Sequence, residues 1–154
     1  MRREQDRPLR RLRSRLFRLE AALALCIAWF LVFRLPFRVL SRLFGGIADP
    51  GPALAGSDPQ PAPVLARARG VGQTVDAMSV RLPWHSTCLV RCVAGRMMLT
   101  RRGIAGHILF GVNRRGGTLT AHAWLVTGGE PVIGGAEATD FTPNACLYAP
   151  PRIL

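Results

Sequence analysis

A chain of 154 residues has room for one domain of ordinary size and an extension. Hydrophobic residues make up 49% of it, which excludes global disorder and allows a packed core. The formal net charge of +12 comes from 21 basic residues against 9 acidic ones, and every basic residue is arginine.

Such a surplus invites a nucleic-acid reading, but its distribution argues against one. Eleven of the 21 arginines lie within residues 2–42, interleaved with leucine and phenylalanine and without an aromatic stacking platform. That pattern suits an acidic partner or a membrane surface.

In chain order, residues 9–33 read as a helix. Leu9, Leu12, Leu16, Leu19 and Leu23 recur at three-four spacing, with arginines between them up to Arg18. The wholly apolar run Ala21–Phe33 spans 13 residues, short of the ~20 a membrane span needs. The favoured expectation is a helix packed on its own domain or on a partner protein. A monotopic helix on anionic lipid is the second reading, and a signal peptide the third.

Pro36 suits the first turn of a new helix carrying Phe37, Leu40 and Phe44, which Gly45-Gly46 ends. Residues 45–63, rich in Gly, Pro, Ala and Asp, read as a flexible linker and a domain boundary. Three regions are therefore expected: helical residues 1–44, linker 45–63, and a C-terminal domain over 64–154.

The last region opens with a helix over residues 64–81, with Val71, Val75 and Met78 on one side. After Leu82-Pro83, Ser86 or Thr87 can cap a second helix that runs to about Arg102, with Gly103 as its stop. The period then changes. His107–Asn113 and Thr118–Thr127 read as strands around an Arg114–Gly117 turn, and Pro131–Ile133 as a third strand after Gly128-Gly129. The expected class is α+β, one helix packed against a small antiparallel sheet and preceded by N-terminal helices.

Four cysteines (Cys26, Cys88, Cys92 and Cys146) and three histidines (His85, His107 and His122) form no metal-binding pattern. Cys88 and Cys92 share one helix face a turn apart, a geometry that disfavours a disulfide. A reduced, cytoplasmic setting follows. Cys88 stands where a helix begins, so unpaired backbone N–H groups and the positive end of the helix dipole favour its thiolate form. Its own N–H can donate to an oxyanion. Cys92, Cys26 and Cys146 read as packing residues. His122 lies 34 residues beyond Cys88, in a strand where it shares a face with Trp124 while Ala121, Ala123 and Leu125 point the other way. The small alanines leave room for another element, such as the helix bearing Cys88. The pair has the composition of a cysteine nucleophile and its general base. His85 reads as an exposed loop residue and His107 as the edge of a strand.

The ordered set Pro83-Trp84-x-Ser86-Thr87-Cys88-Leu89, Arg101-Arg102-Gly103-Ile104, Gly111-Val112 and Ala121-His122-Ala123-Trp124 resembles the lasso-peptide leader peptidases. These are microcin-processing cysteine proteases with a transglutaminase/papain-like core. The resemblance covers roughly residues 64–148, and the N-terminal helices resemble the split form, whose leader-binding domain is a separate chain. It implies a peptidase that removes the leader from a ribosomally made precursor peptide, with Cys88 as nucleophile and His122 as base. The implied partners are a winged-helix leader-binding protein and an asparagine-synthetase-like cyclase, with a peripheral membrane contact through residues 9–44 as a further option. No cofactor, metal or nucleic acid is implied. In related sequences an orienting aspartate falls about a dozen residues after the histidine, at or near Gly134 here. Glu137 and Asp140 are the nearest carboxylates downstream, and a backbone carbonyl or water is the other way to hold the ring. The rival expectations are a catalytically idle interaction module and another acyl-transfer reaction on the same scaffold.

Overall fold

Helix α5 (Cys88–Thr100) begins where its cap dictates. Thr87 has extended backbone angles, and its Oγ1 accepts from the Val90 N–H at 3.3 Å. The helix ends over Arg101–Gly103, with Gly103 in the left-handed region at φ +65°. Val90, Val93, Ala94, Met98 and Leu99 are buried along it. Burial of each larger aliphatic among them contributes about 1.5–3 kcal/mol.

The computed structural model describes residues 2–56, 59–115 and 117–148. Gly116 of the expected turn, residues 57–58 of the expected linker and residues 149–154 lie outside the described residues. Strands β2 (His107–Arg115), β3 (Thr118–Thr127) and β4 (Glu130–Ile133) form the expected antiparallel meander. Two further strands, β1 (Ile47–Ala48) and β5 (Thr142–Leu147), extend it to the order β1-β5-β2-β3-β4. Helix α5 packs on β3, α4 (Ala62–Ser79) packs on β4, and α1 (Arg2–Arg34) lies across both helices. Short helices α2 (Phe37–Leu43), α3 (Gly51–Leu54) and α6 (Gly135–Ala138) complete the chain. The class is α+β with an N-terminal helix, as expected.

Glycines let the helices sit close to the sheet. A Cβ at Gly72 of α4 would run into the Val132 carbonyl, and one at Gly95 of α5 into the Ile133 side chain. Alternation along β3 then divides the molecule. Ala123 and Leu125 face the main core with α1, α4 and α5. Trp124 and Val126 face a smaller core with Leu109, Cys146 and Ala53, against which Phe141 packs.

Several expectations are corrected. The leucine stripe of α1 is not its packed face: Leu12, Leu16, Leu19 and Leu23 are exposed, whereas Ala21, Ala24, Leu25 and Ala28 are buried. Small side chains allow the close approach to α4 and α5 that leucines would prevent. Glu20 fixes this arrangement by accepting from both Arg102 terminal nitrogens, at 2.9 and 2.6 Å. The helical region therefore shares its core with the region expected to be separate. The described part of the stretch expected as a linker carries β1 and α3, and Ile47 pairs with Leu147. Cys26, expected to pack, is exposed on α1, whereas Cys92 and Cys146 are buried. His107 opens β2, at the edge of a strand as expected, but it is buried there and stacks on Tyr148 at 4.4 Å.

Candidate active site

Loop residues 82–87 deliver Cys88 to the first position of α5, and Trp84 within that loop lies 6.3 Å, centroid to centroid, from Trp29 of α1. Cys88 is half-buried with a free thiol, and it packs against the main core. One turn on, Cys92 is fully buried, and that burial pushes its thiol well above the usual range. Of the two, only Cys88 is accessible and next to the open end of a helix. His85 is exposed in the loop.

His122 stands opposite Gly111 in the β2–β3 register. Glycine is needed at 111 because a Cβ there would come within 2.8 Å of the Trp124 ring. The imidazole stacks on Trp124 at 6.0 Å and lies 5.1 Å from the Phe141 ring. Its Nε2 is 3.0 Å from the carbonyl oxygen of Gly134. A carbonyl can only accept, so Nε2 carries the proton and, in the neutral ring, Nδ1 holds the basic lone pair. Gly134 adopts φ +70° where the chain leaves β4 for α6, and this turn aims the carbonyl at the ring.

Of the two carboxylates named from sequence, Glu137 approaches the imidazole without hydrogen-bonding it. Glu137 Oε2 is 3.9 Å from Nε2, beyond hydrogen-bond length, and its side chain is largely exposed. Asp140 is exposed in the turn after α6, where its N–H donates to the Glu137 carbonyl. A main-chain oxygen therefore occupies the place where the resembling sequences put an aspartate. The sequence offers a carbonyl as one way to hold the ring but does not single out Gly134. The Gly134-Gly135 pair after a short strand was the available signal.

The structure does not bring Cys88 and His122 into contact. Ala123 and Leu125 of β3 face α5, so the alanine side does receive that helix, while His122 and Trp124 point to the other face. Strand β4 pairs with β3 only from Leu125 onward, which leaves His122 at the open margin of the sheet. Along that margin runs a groove of about 390 Å³ lined by Asp76, Arg91 and residues 131–137. Arg91 and Asp76 pair across it at 3.2 Å. Burial raises the Asp76 carboxyl above its usual range, and Arg91 opposes that shift. Among the described residues, no three His, Cys, Asp or Glu side chains are arranged to hold a metal ion.

The architecture is an α+β scaffold in which a helix with an accessible thiol at its start packs on a small antiparallel sheet. The chain matches the transglutaminase-like superfamily over residues 31–146, most of its length, and belongs to that superfamily. Its members are typically cysteine peptidases or acyltransferases. The matched segment begins inside α1 and includes β1, in keeping with the shared core. No curated protein and no solved structure matches the chain.

Proposed function

We propose that the protein is a cysteine peptidase that removes the leader from a ribosomally synthesised lasso-peptide precursor, ahead of macrolactam closure by a partner cyclase. The observation that carries the reading is the half-buried free thiol of Cys88 at the capped start of α5, in a chain of the transglutaminase-like superfamily. The bond from His122 Nε2 to the Gly134 carbonyl, 12 residues on, leaves Nδ1 as the basic nitrogen.

Nδ1 of His122 takes the Cys88 proton, and the sulfur attacks the scissile carbonyl. The N–H of Cys88 donates to the oxyanion, and the imidazolium returns its proton to the leaving amine. Water then releases the acyl group by the reverse proton path. The ring must first be brought to the thiol. That takes the ring off the face of β3 it occupies here and gives up its contact with Gly134. A separate winged-helix protein presents the leader, and the reaction is cytoplasmic.

The test is reconstitution with the leader-binding protein and precursor, with released leader read by mass spectrometry. Cys88→Ala and His122→Ala abolish release, and Cys92→Ala largely spares it. Normal cleavage by Cys88→Ala overturns the assignment. The placement of Cys88 and His122 on opposite sides of β3 favours a second reading, an idle module that holds precursor and partner together. On that reading, wild type and Cys88→Ala bind precursor equally and neither cleaves it.

A further inference from the structure

Helix α1 is built the wrong way round for a helix with only its own domain to cover. Its packed face is made mainly of alanines, while Leu16, Leu19, Leu23 and Phe30 are each more than half exposed. Ten of the 14 exposed large hydrophobic residues among the described ones lie on α1 and α2, where Phe37, Val39 and Leu43 continue the patch. This is a concentration, not the scatter expected of an ordinary surface. Around it, Arg11, Arg15, Arg18, Arg34, Arg38 and Arg42 are all exposed. The single acid between residues 10 and 43, Glu20, is already taken by Arg102.

Two adjoining surface grooves repeat the pairing of apolar and cationic character. One, of about 330 Å³, is lined by Leu16, Leu19, Leu23, Ile27 and Met97. It shares Leu16, Glu20 and Arg101 with a second of about 650 Å³, which also carries the exposed Arg13 beside the Arg102 that Glu20 holds. A greasy trough that opens onto guanidinium groups suits an acyl chain joined to a phosphate.

We propose that the outer face of α1, continued by α2, lies in the plane of an anionic lipid bilayer surface. Leucine and phenylalanine side chains enter the acyl boundary, and the arginines extend to the headgroups. Arg10–Arg34 is long and apolar enough to cross a bilayer by length and composition. Crossing, however, would strip Ala21, Leu25 and Ala28 from the core and break the Glu20–Arg102 pair. Lying flat keeps both. A second copy of the chain is a poorer occupant, because α1 sets nine arginines against three acids, one of them Glu20, which Arg102 already holds.

Co-sedimentation of the full chain with vesicles tests this. One set is phosphatidylcholine alone, and the other contains about one third phosphatidylglycerol. Binding to the anionic set exceeds the neutral set by at least about tenfold and weakens as salt rises. Leu16→Gln/Leu23→Gln/Phe30→Gln and, separately, Arg11→Gln/Arg15→Gln/Arg18→Gln each lower it by about tenfold or more. Circular dichroism checks that each variant is folded, and the arginine set alters no core residue. Failure of the folded wild type to sediment at low salt overturns the proposal. Binding unaffected by the arginine set does the same. Resistance to alkaline carbonate extraction overturns it in favour of a spanning helix. A dimer in sedimentation equilibrium that the leucine set abolishes assigns the face to a second copy instead.

Discussion

His122 donates its Nε2 proton to the carbonyl oxygen of Gly134 at 3.0 Å, so a main-chain atom on a left-handed glycine fixes the tautomer of the ring. Gly134→Ala should disturb this pair directly. A Cβ there would lie 3.1 Å from the Ala123 oxygen and 3.2 Å from His122 Nε2, on a backbone at φ +70°. We expect a loss of about 1–2 kcal/mol in urea unfolding, and a fall in leader release greater than that loss explains. Glu137→Ala and Asp140→Ala should each change release by no more than about twofold, because both carboxylates are exposed. A larger drop in either would make that carboxylate the orienting group.

The four cysteines should differ in reactivity. On the folded protein, iodoacetamide labels Cys88 and the exposed Cys26. Cys92 and Cys146 are buried, and burial raises both thiols, that of Cys146 to about 11. These two should resist labelling until denaturant is added. Peptide mapping by mass spectrometry after timed exposure checks the order, and in a Cys26→Ser background only Cys88 should react early.

The start of α5 rests on one hydroxyl. Thr87→Ala removes the acceptor for the Val90 N–H and should cost about 1 kcal/mol in urea unfolding. Thr87→Ser should recover most of it. If the alanine variant keeps full stability yet loses activity, Thr87 acts on substrate rather than on the helix.

The cap at Thr87, the stop at Gly103 and the β2–β3 meander were legible because each has a local chemical signal: a side-chain acceptor, a left-handed glycine, a period of two. Strand β5 was not, since the alternation in Thr142-Pro143-Asn144-Ala145 is carried by proline and alanine, both poor strand formers, and the strand is placed by β2. Two-residue β1 has no period to read. Helix α1 was legible as a helix but not in its orientation. Its two apolar faces differ in side-chain size, and only the closeness of α4 and α5 selects the alanines. For the site, Cys88 and His122 could be named from their neighbours. That they lie on opposite sides of β3 depends on which face α5 covers, a tertiary fact.

Glu20 should make stability depend on acid. The hydrogen bond from Arg102 holds its carboxyl below the usual range, against the opposing effect of burial. A carboxyl lowered on folding contributes fully above its unfolded pKa and loses that contribution as pH falls through the folded value. Glu20→Gln should therefore cost about 1–2 kcal/mol at neutral pH. The gap from wild type should narrow below about pH 4. Chemical unfolding at several pH values measures it, and a gap that widens in acid would contradict the assigned pairing.

The reach of α1 also bears on how the chain is made. Glu20 meets Arg102 across 82 residues, and Ile47 waits for Leu147 to close the edge of the sheet. During synthesis the helix leaves the ribosome with both of its apolar faces bare, long before α5 exists to cover one of them. Until Arg102 emerges, the nascent chain is in its most adhesive state. Whatever covers the outer face of α1 in the finished protein meets a surface that was already on offer before α5 was made.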